Sequence, residues 1–327
     1  VSLGDFLDKK PLIVIVGPTA SGKTKVSISL AKILRGEIIS ADSMLIYKHM
    51  DIGTAKPSLS ERENVPHHLV DILEPQQEFS AAQFQKAAIR AIDGIHERGL
   101  LPIMVGGTGL YVNSVIYPMN FTDAGHDPAL RASILEDEKK YGTQYLYEQL
   151  RNIDPIKADA INPNDTKRIV RALEVHRLTG NPMSFYNQNN YRNESRYRTA
   201  VIGLNMDRSK LYQNIDRRVD KMIEDGLIEE VKELKKMGCN SAAQSMQGLG
   251  YKQILEYLEG RMNLSETIDL IKRNTRRFAK RQLTWFRRDK RIYWINTDDF
   301  ESSEDIANAI AQYLKIFFAS NREGYSI

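Results

Sequence analysis

Three observations predict an α/β protein: a P-loop parallel sheet flanked by helices, with a mainly helical inserted domain. Apolar runs of strand length at 12–16 and 101–105 alternate with stretches whose apolar residues recur at helical spacing. The first run leads directly into Gly17-Pro18-Thr19-Ala20-Ser21-Gly22-Lys23-Thr24, which fits the pattern G-x-x-x-x-G-K-[ST]. From residue 122 to residue 198 the alternation stops, and it resumes with the apolar run at 200–204. The expected core is therefore 1–121 together with 199–327, and 122–198 is an insertion.

The glycine-rich segment carries the first chemistry. Gly17 and Gly22 allow a turn tight enough to aim successive N–H groups at one anion, Lys23 adds a positive charge, and Thr24 offers a hydroxyl to Mg²⁺. Such parts bind a diphosphate or triphosphate. The following helix, 24–35, buries Val26, Ile28, Leu30, Ile33 and Leu34 and turns its positive end toward that anion. After Gly36, residues 37–40 read as a second strand with Ala41-Asp42-Ser43-Met44 at its tip. Ligands of open α/β sheets bind beyond the carboxyl ends of strands, so Asp42 is expected in the same crevice. Its carboxylate reads as a Mg²⁺ ligand, a general base or a strand-end cap.

Residues 47–78 are punctuated by Gly53, Pro57, Pro66 and Pro75 and read as irregular. The adjacent His67 and His68 read as structural, since neighbours point apart and no carboxylate stands at ligand spacing. A helical pattern begins at Ser80, and Gly99 closes it. The strand at 101–105 ends in Gly106-Gly107-Thr108-Gly109-Leu110-Tyr111. Its three glycines suggest close approach of backbone to a ligand, with the Thr108 hydroxyl facing the crevice; a plain tight turn is the alternative.

Within the insertion, 129–151 and 166–178 read as helices. Lys167, Arg168 and Arg171 cluster near the start of the second, where cations oppose the macrodipole, and a bound polyanion explains them. At 181–198, Tyr186, Tyr191 and Tyr197 interleave with Arg192, Arg196 and Arg198, which suits stacking on unpaired RNA bases or a plain polar loop. Further on, Arg217 and Arg218 alternate with carboxylates, as surface salt bridges or as an anion clamp. A loop at 244–252 enters a helix. The helix 265–288 is expected to bury Ile268, Ile271, Thr275, Phe278 and Trp285. Arg273, Arg276, Arg277, Lys280, Arg281, Arg287 and Arg288 stand on its other faces. That many cations exceed an ordinary solvated face and point to nucleic acid. Residues 291–296 read as a last strand, and the remainder carries no chemical signal.

Composition narrows the class. A chain of 327 residues with 42% hydrophobic and 27% charged residues is that of a soluble globular protein, and a net charge of +4 is too small to identify a partner. One cysteine, Cys239, excludes an intrachain disulfide and a Cys-rich zinc site and fits a reducing compartment. Residues 1–10 lack the apolar core of a signal peptide, and no apolar run reaches membrane-spanning length. A cytoplasmic protein without a membrane partner is expected.

In order along 11–288, the chain resembles the bacterial tRNA dimethylallyltransferases, also called tRNA isopentenyltransferases. The resemblance rests on residues 17–24, Asp42-Ser43-Met44, Pro66-His67-His68-Leu69-Val70-Asp71, Val105-Gly106-Gly107-Thr108-Gly109-Leu110-Tyr111, Asp216-Arg217-Arg218-Val219-Asp220, Gly248-Leu249-Gly250-Tyr251-Lys252 and Thr275-Arg276-Arg277-Phe278-Ala279-Lys280-Arg281-Gln282. The family commonly carries glutamine at Leu45 and arginine at Asn214. The resemblance implies transfer of a dimethylallyl group from dimethylallyl diphosphate to N6 of adenine 37 in tRNA. Residues 17–24 would then grip the diphosphate, with Lys23, Arg217 and Mg²⁺ on Thr24 meeting its charge. Asp42 would be the general base, and Thr108 would fix the amine or the leaving group. The anticodon stem-loop would meet Asp42, Ser43, Met44, Leu45, Thr108, Arg131, Lys167, Arg168, Arg171, Gln247, Gly248 and Tyr251, and Arg273, Arg276, Arg277, Lys280 and Arg281 of the basic helix. A monomer is expected. The competing readings are a small-molecule P-loop kinase or ATPase with the insertion as lid, and a non-catalytic RNA-binding module.

Overall fold

A computed structural model describes residues 9–117, 119, 121, 125, 127–187 and 195–320. Six strands form one all-parallel sheet: β1 (Pro11–Val16), β2 (Gly36–Ser40), β3 (His67–His68), β4 (Leu101–Gly106), β5 (Arg198–Asn205) and β6 (Tyr293–Asn296), in the spatial order β3-β2-β4-β1-β5-β6. β1 is central because both its faces are apolar, and Leu12 through Val16 are wholly buried. In register, Ile13 lies between Ile103 and Ala200, and Val16 between Gly106 and Gly203.

The helices are α1 (Lys23–Leu34), α2 (Ala81–Glu97), α3 (Gly109–Ile116), α4 (Pro128–Tyr141), α5 (Thr143–Ile153), α6 (Pro155–Asp159), α7 (Thr166–Thr179), α8 (Met183–Asn187), α9 (Arg208–Glu224), α10 (Leu227–Lys236), α11 (Tyr251–Leu258), α12 (Leu264–Phe286) and α13 (Ser303–Ser320). α2 starts where a capping box closes between Ser80 and Gln83, a device that contributes about 1 kcal/mol. α1 and α13 pack together on one face of the sheet. Ile28 and Leu30 of α1 join Ile306, Ile310 and Leu314 of α13 over Ile13, Ile15, Ile202 and Leu204. The C-terminal stretch that carries no chemical signal is thus a core helix.

The chain divides into two compact units, residues 1–116 with 196–327, and 117–195. The second is helical, α4 to α8, around Ile134, Leu146, Leu150, Ile169, Val170 and Leu173. In the first, the adjacent histidines are structural: His68 Nε2 lies 2.6 Å from Glu37 Oε2, and His67 Nδ1 lies 2.8 Å from the Val65 carbonyl. Among the described residues no His, Cys, Asp and Glu cluster could hold a metal, and no helix is long and apolar enough to cross a membrane.

Parallel pairing places the carboxyl ends of β1, β2, β4 and β5 along one edge of the sheet. The turn 17–22, the tip 41–45 and the tip 106–109 leave from that edge, so sequence segments about 65 and 90 residues apart meet there.

Candidate functional site

Residues 17–22 link β1 to α1 through three residues of positive φ: Gly17 at 149°, Ala20 at 63° and Gly22 at 83°. Gly17 is required by its neighbour across the sheet, since a Cβ there would lie 2.6 Å from the Leu204 carbonyl oxygen. Ser21 is 1% exposed, and its Oγ has no hydrogen-bond partner among the described residues. The Lys23 ammonium folds back over the turn and donates to the Pro18 carbonyl at 2.6 Å. Burial lowers the Lys23 pKa to about 7, Asp42 opposes that shift, and Arg218 adds to it. One ammonium, one carboxylate and one guanidinium, from α1, the β2 tip and α9, thus lie within electrostatic range of one another.

Asp42 is held by its own turn. Its Oδ1 accepts the Met44 N–H at 2.9 Å, and its other oxygen takes no hydrogen bond among the described residues. The tip is tied to the β4 end through Thr108: the Ser43 N–H donates to Thr108 Oγ1 at 3.2 Å, and the Thr108 N–H to the Ala41 carbonyl at 3.3 Å. Asp42 and Thr108 therefore stand together beyond the sheet edge, as the strand-tip argument predicts. Met44 packs against Gly248, where a Cβ would approach its Cε to 2.5 Å, and this brings the loop before α11 to the same tip. Leu45 lies beside it, half-buried, its carbonyl accepting the Asp71 N–H at 3.2 Å.

Several expectations need correction. The glycines at the β4 end make room for protein rather than for a ligand. A Cβ on Gly106 would lie 2.2 Å from the Ala41 oxygen, one on Gly107 2.1 Å from Gln282 Nε2, and one on Gly109 2.2 Å from Trp285 Nε1. On α9, Arg217 is exposed, and the half-buried Arg218 is the arginine coupled to Asp42 and Lys23. Burial pushes the Arg218 pKa down, with Asp42 opposing, and its Nη2 donates to the Thr54 carbonyl at 3.2 Å. Tyr251 offers no surface to a base, being 1% exposed with its hydroxyl donating to Glu230 Oε1 at 2.6 Å. Tyr197 is buried, Arg198 lies in β5, and Tyr191 and Arg192 fall outside the described residues.

Glu230 is a residue the sequence did not single out. It accepts the N–H groups of Asp51, Ile52 and Gly53 at 2.8, 2.8 and 3.1 Å in addition to the Tyr251 hydroxyl, and so anchors the loop that follows the β2 tip. Replacing it strands those donors. Glu230→Ala is expected to lower unfolding stability by about 3 kcal/mol and Tyr251→Phe by about 1 kcal/mol, measured by urea denaturation.

α12 packs against α9, α11 and α3. Its buried face is Thr267, Ile271, Ala279, Gln282 and Phe286, whereas Trp285, expected inside, is 37% exposed. Ala279 packs with Leu211 and Ile215 of α9 beside Ala20. Arg276 and Lys272 pair with Asp216 and Asp220 of α9 at 2.5 and 2.6 Å, so these two cations hold helix to helix. Arg273, Arg277, Lys280 and Arg281 are exposed and pair with no carboxylate among the described residues. At 1.5 Å per residue their stripe runs about 12 Å along the helix. Gln247 is exposed at the neighbouring loop, its amide donating to the Ser241 carbonyl.

In the helical unit, Arg131 and Arg171 reach the wholly buried Glu174 at 2.8 and 2.7 Å, so their charge is largely taken up internally. Lys167 and Arg168 are exposed at the start of α7. There Asp165 caps the helix and lies 3.4 Å from the Arg168 guanidinium, which relieves the dipole conflict that the sequence poses.

Residues 45–289 match the family model of the IPP transferases. The chain is 56% identical over 299 residues to the tRNA dimethylallyltransferase of Carboxydothermus hydrogenoformans, covering 91% of this chain and 96% of that one. Its fold is similar to a tRNA isopentenylpyrophosphate transferase from Bacillus halodurans, with TM-score 0.71, 46% identity and coverage of 97% and 100%. It is also similar to a eukaryotic dimethylallyltransferase solved acting on tRNA, with TM-score 0.77, 29% identity and coverage of 94% and 80%. This chain belongs to the IPP transferase family.

Proposed function

We propose that the chain transfers a dimethylallyl group from dimethylallyl diphosphate to N6 of adenine 37 in tRNA and releases diphosphate. The observation that carries the reading is the convergence of Lys23, Asp42, Thr108 and Arg218 beyond one sheet edge, in a chain of this family. Breaking the allylic C–O bond leaves extra negative charge on the diphosphate, so donors must be aimed where that charge develops. The N–H groups of the turn other than that of Thr19, which donates to Gln282, supply them together with Lys23 and Arg218. The orphaned Ser21 hydroxyl, buried in the turn, suits an anion's oxygen rather than solvent. The Thr24 position is exposed at the head of α1, and its hydroxyl suits Mg²⁺, which keeps most of its ligands as water and phosphate. When bound there, Mg²⁺ would neutralise charge on the diphosphate oxygens.

On the acceptor side the N6 lone pair is delocalised into the purine ring, and its proton must leave as the C–N bond forms. The open oxygen of Asp42 takes that proton, while the Thr108 hydroxyl, fixed by Ser43, steadies the amine. The base must be extruded from its loop to reach this depth. The unpaired stripe Arg273, Arg277, Lys280 and Arg281 meets the phosphates of the anticodon stem-loop. Ser43, Met44, Leu45, Gln247 and Gly248 complete the candidate RNA contacts of this unit; Lys167 and Arg168 are separate candidates on the helical unit. Arg277→Ala and Lys280→Ala are each expected to weaken tRNA binding and reduce the slope of log K against log salt by about one; an unchanged slope removes α12 from the interface.

An anticodon stem-loop with adenine 37 tests the reading. It should release diphosphate from dimethylallyl diphosphate and gain mass at that base, and the same stem-loop with guanine 37 should do neither.

A further inference from the structure

Gln282 is the most buried polar side chain of α12 apart from Thr267, at 6% exposure, and lies between the two loops of the site. Its Oε1 accepts the Thr19 N–H at 2.9 Å, and its Nε2 donates to the Gly107 carbonyl at 3.1 Å. Gly107 has no room for a Cβ because the Gln282 amide fills that space. One side-chain amide thus joins the phosphate turn, the β4 tip beside Thr108 and the helix whose next residues toward the N-terminus, Arg281 and Lys280, are exposed cations. A donor and an acceptor on one rigid plane are needed for this, and neither a carboxylate nor an aliphatic chain supplies both.

We infer that Gln282 is a positioning residue for the transfer: its amide sets the spacing between the diphosphate turn and the acceptor tip that carries Thr108. The inference rests on the diphosphate reading of residues 17–24. Reaction requires the allylic carbon and the amine within about 3–3.5 Å, and a misplacement near 1 Å costs about 100-fold, so the strut controls turnover rather than RNA affinity. It also leaves the Thr19 amide committed to Gln282 and the remaining amides of the turn to the anion.

Two variants test it. Gln282→Met keeps the volume and loses both hydrogen bonds. It should lower kcat by about 10- to 100-fold, leave the KM for tRNA within about twofold, and weaken binding of inorganic diphosphate in calorimetry. Gln282→Glu keeps the acceptor and loses the donor until its carboxyl is protonated, when an acid O–H again faces Gly107. Burial favours that neutral form, so its rate relative to the unmodified enzyme should rise as pH falls. A kcat unchanged in Gln282→Met, a loss found wholly in the tRNA KM, or a pH-independent rate ratio in Gln282→Glu overturns the inference. The diphosphate titration needs no prenyl transfer. Failure of the unmodified enzyme to prenylate tRNA therefore counts against the proposed function, and unchanged diphosphate affinity in Gln282→Met counts against the strut.

Discussion

Asp42→Ala is expected to lower prenyl transfer at saturating tRNA by about 10²- to 10⁴-fold, the span that positioned proton transfer ordinarily contributes. The expectation follows from the carboxylate's geometry. One oxygen is spent on the Met44 N–H and keeps the group aimed, and the other is open toward the crevice that Lys23 and Arg218 share. Asp42→Asn separates aiming from proton transfer. It retains an oxygen for the Met44 N–H, so the tip keeps its shape, yet it cannot take a proton at neutral pH. The two substitutions should therefore be almost equally slow in single-turnover assays. Turnover of Asp42→Asn near that of the unmodified enzyme would show that Asp42 shapes the tip and takes no proton.

Lys23→Met carries the second largest effect, about 10²- to 10³-fold in kcat, the usual cost of removing one donor aimed at developing negative charge. Its signature is in the pH dependence. The Lys23 pKa is held to about 7, and a diphosphate against the ammonium favours the charged form and raises that value. Below pH 7 the group is already charged, so its full contribution to affinity is present and does not vary with pH. Above pH 7 the anion must bind a lysine that has lost its proton, so affinity falls by up to tenfold per pH unit until the pKa of the bound form is reached. Inorganic diphosphate has ionisations of its own in this range, and comparison with Lys23→Met, in which the ligand's ionisations are the same, isolates the part due to the lysine. Calorimetry at pH 8 in buffers of different ionisation enthalpy should detect proton uptake on diphosphate binding, and Lys23→Met should remove the lysine's part of it. A flat affinity from pH 7 to 9 in the unmodified chain would contradict this electrostatic picture.

What the sequence disclosed followed the strength of each physical signal. The central strand and its turn were legible because a wholly apolar run before a glycine-bounded lysine has few other uses. Strand-tip logic brought Asp42 and Thr108 together without any contact information, since parallel pairing alone fixes which ends share an edge. Other features depended on one residue of helical phase. Arg217 and Arg218 are about 100° apart on α9, and composition cannot say which faces inward. Apolar periodicity placed Trp285 inside α12 and passed over Gln282, because a buried amide that satisfies two backbone groups looks polar in sequence. The glycines at 106, 107 and 109 signalled close approach correctly. What approaches is Ala41, Gln282 and Trp285, which only the folded chain reveals. The same limit applies to Tyr251: a tyrosine that meets RNA and a buried phenol on Glu230 share one sequence.

Supplying labelled dimethylallyl diphosphate and labelled ATP in parallel, each with unmodified tRNA and Mg²⁺, tests the central claim most directly. The crevice, read as a diphosphate leaving-group site facing an amine, predicts that label from the prenyl donor appears as N6-dimethylallyladenosine at position 37 and that ATP is neither hydrolysed nor consumed. Phosphate release from ATP, with no prenyl label entering the RNA, would contradict it.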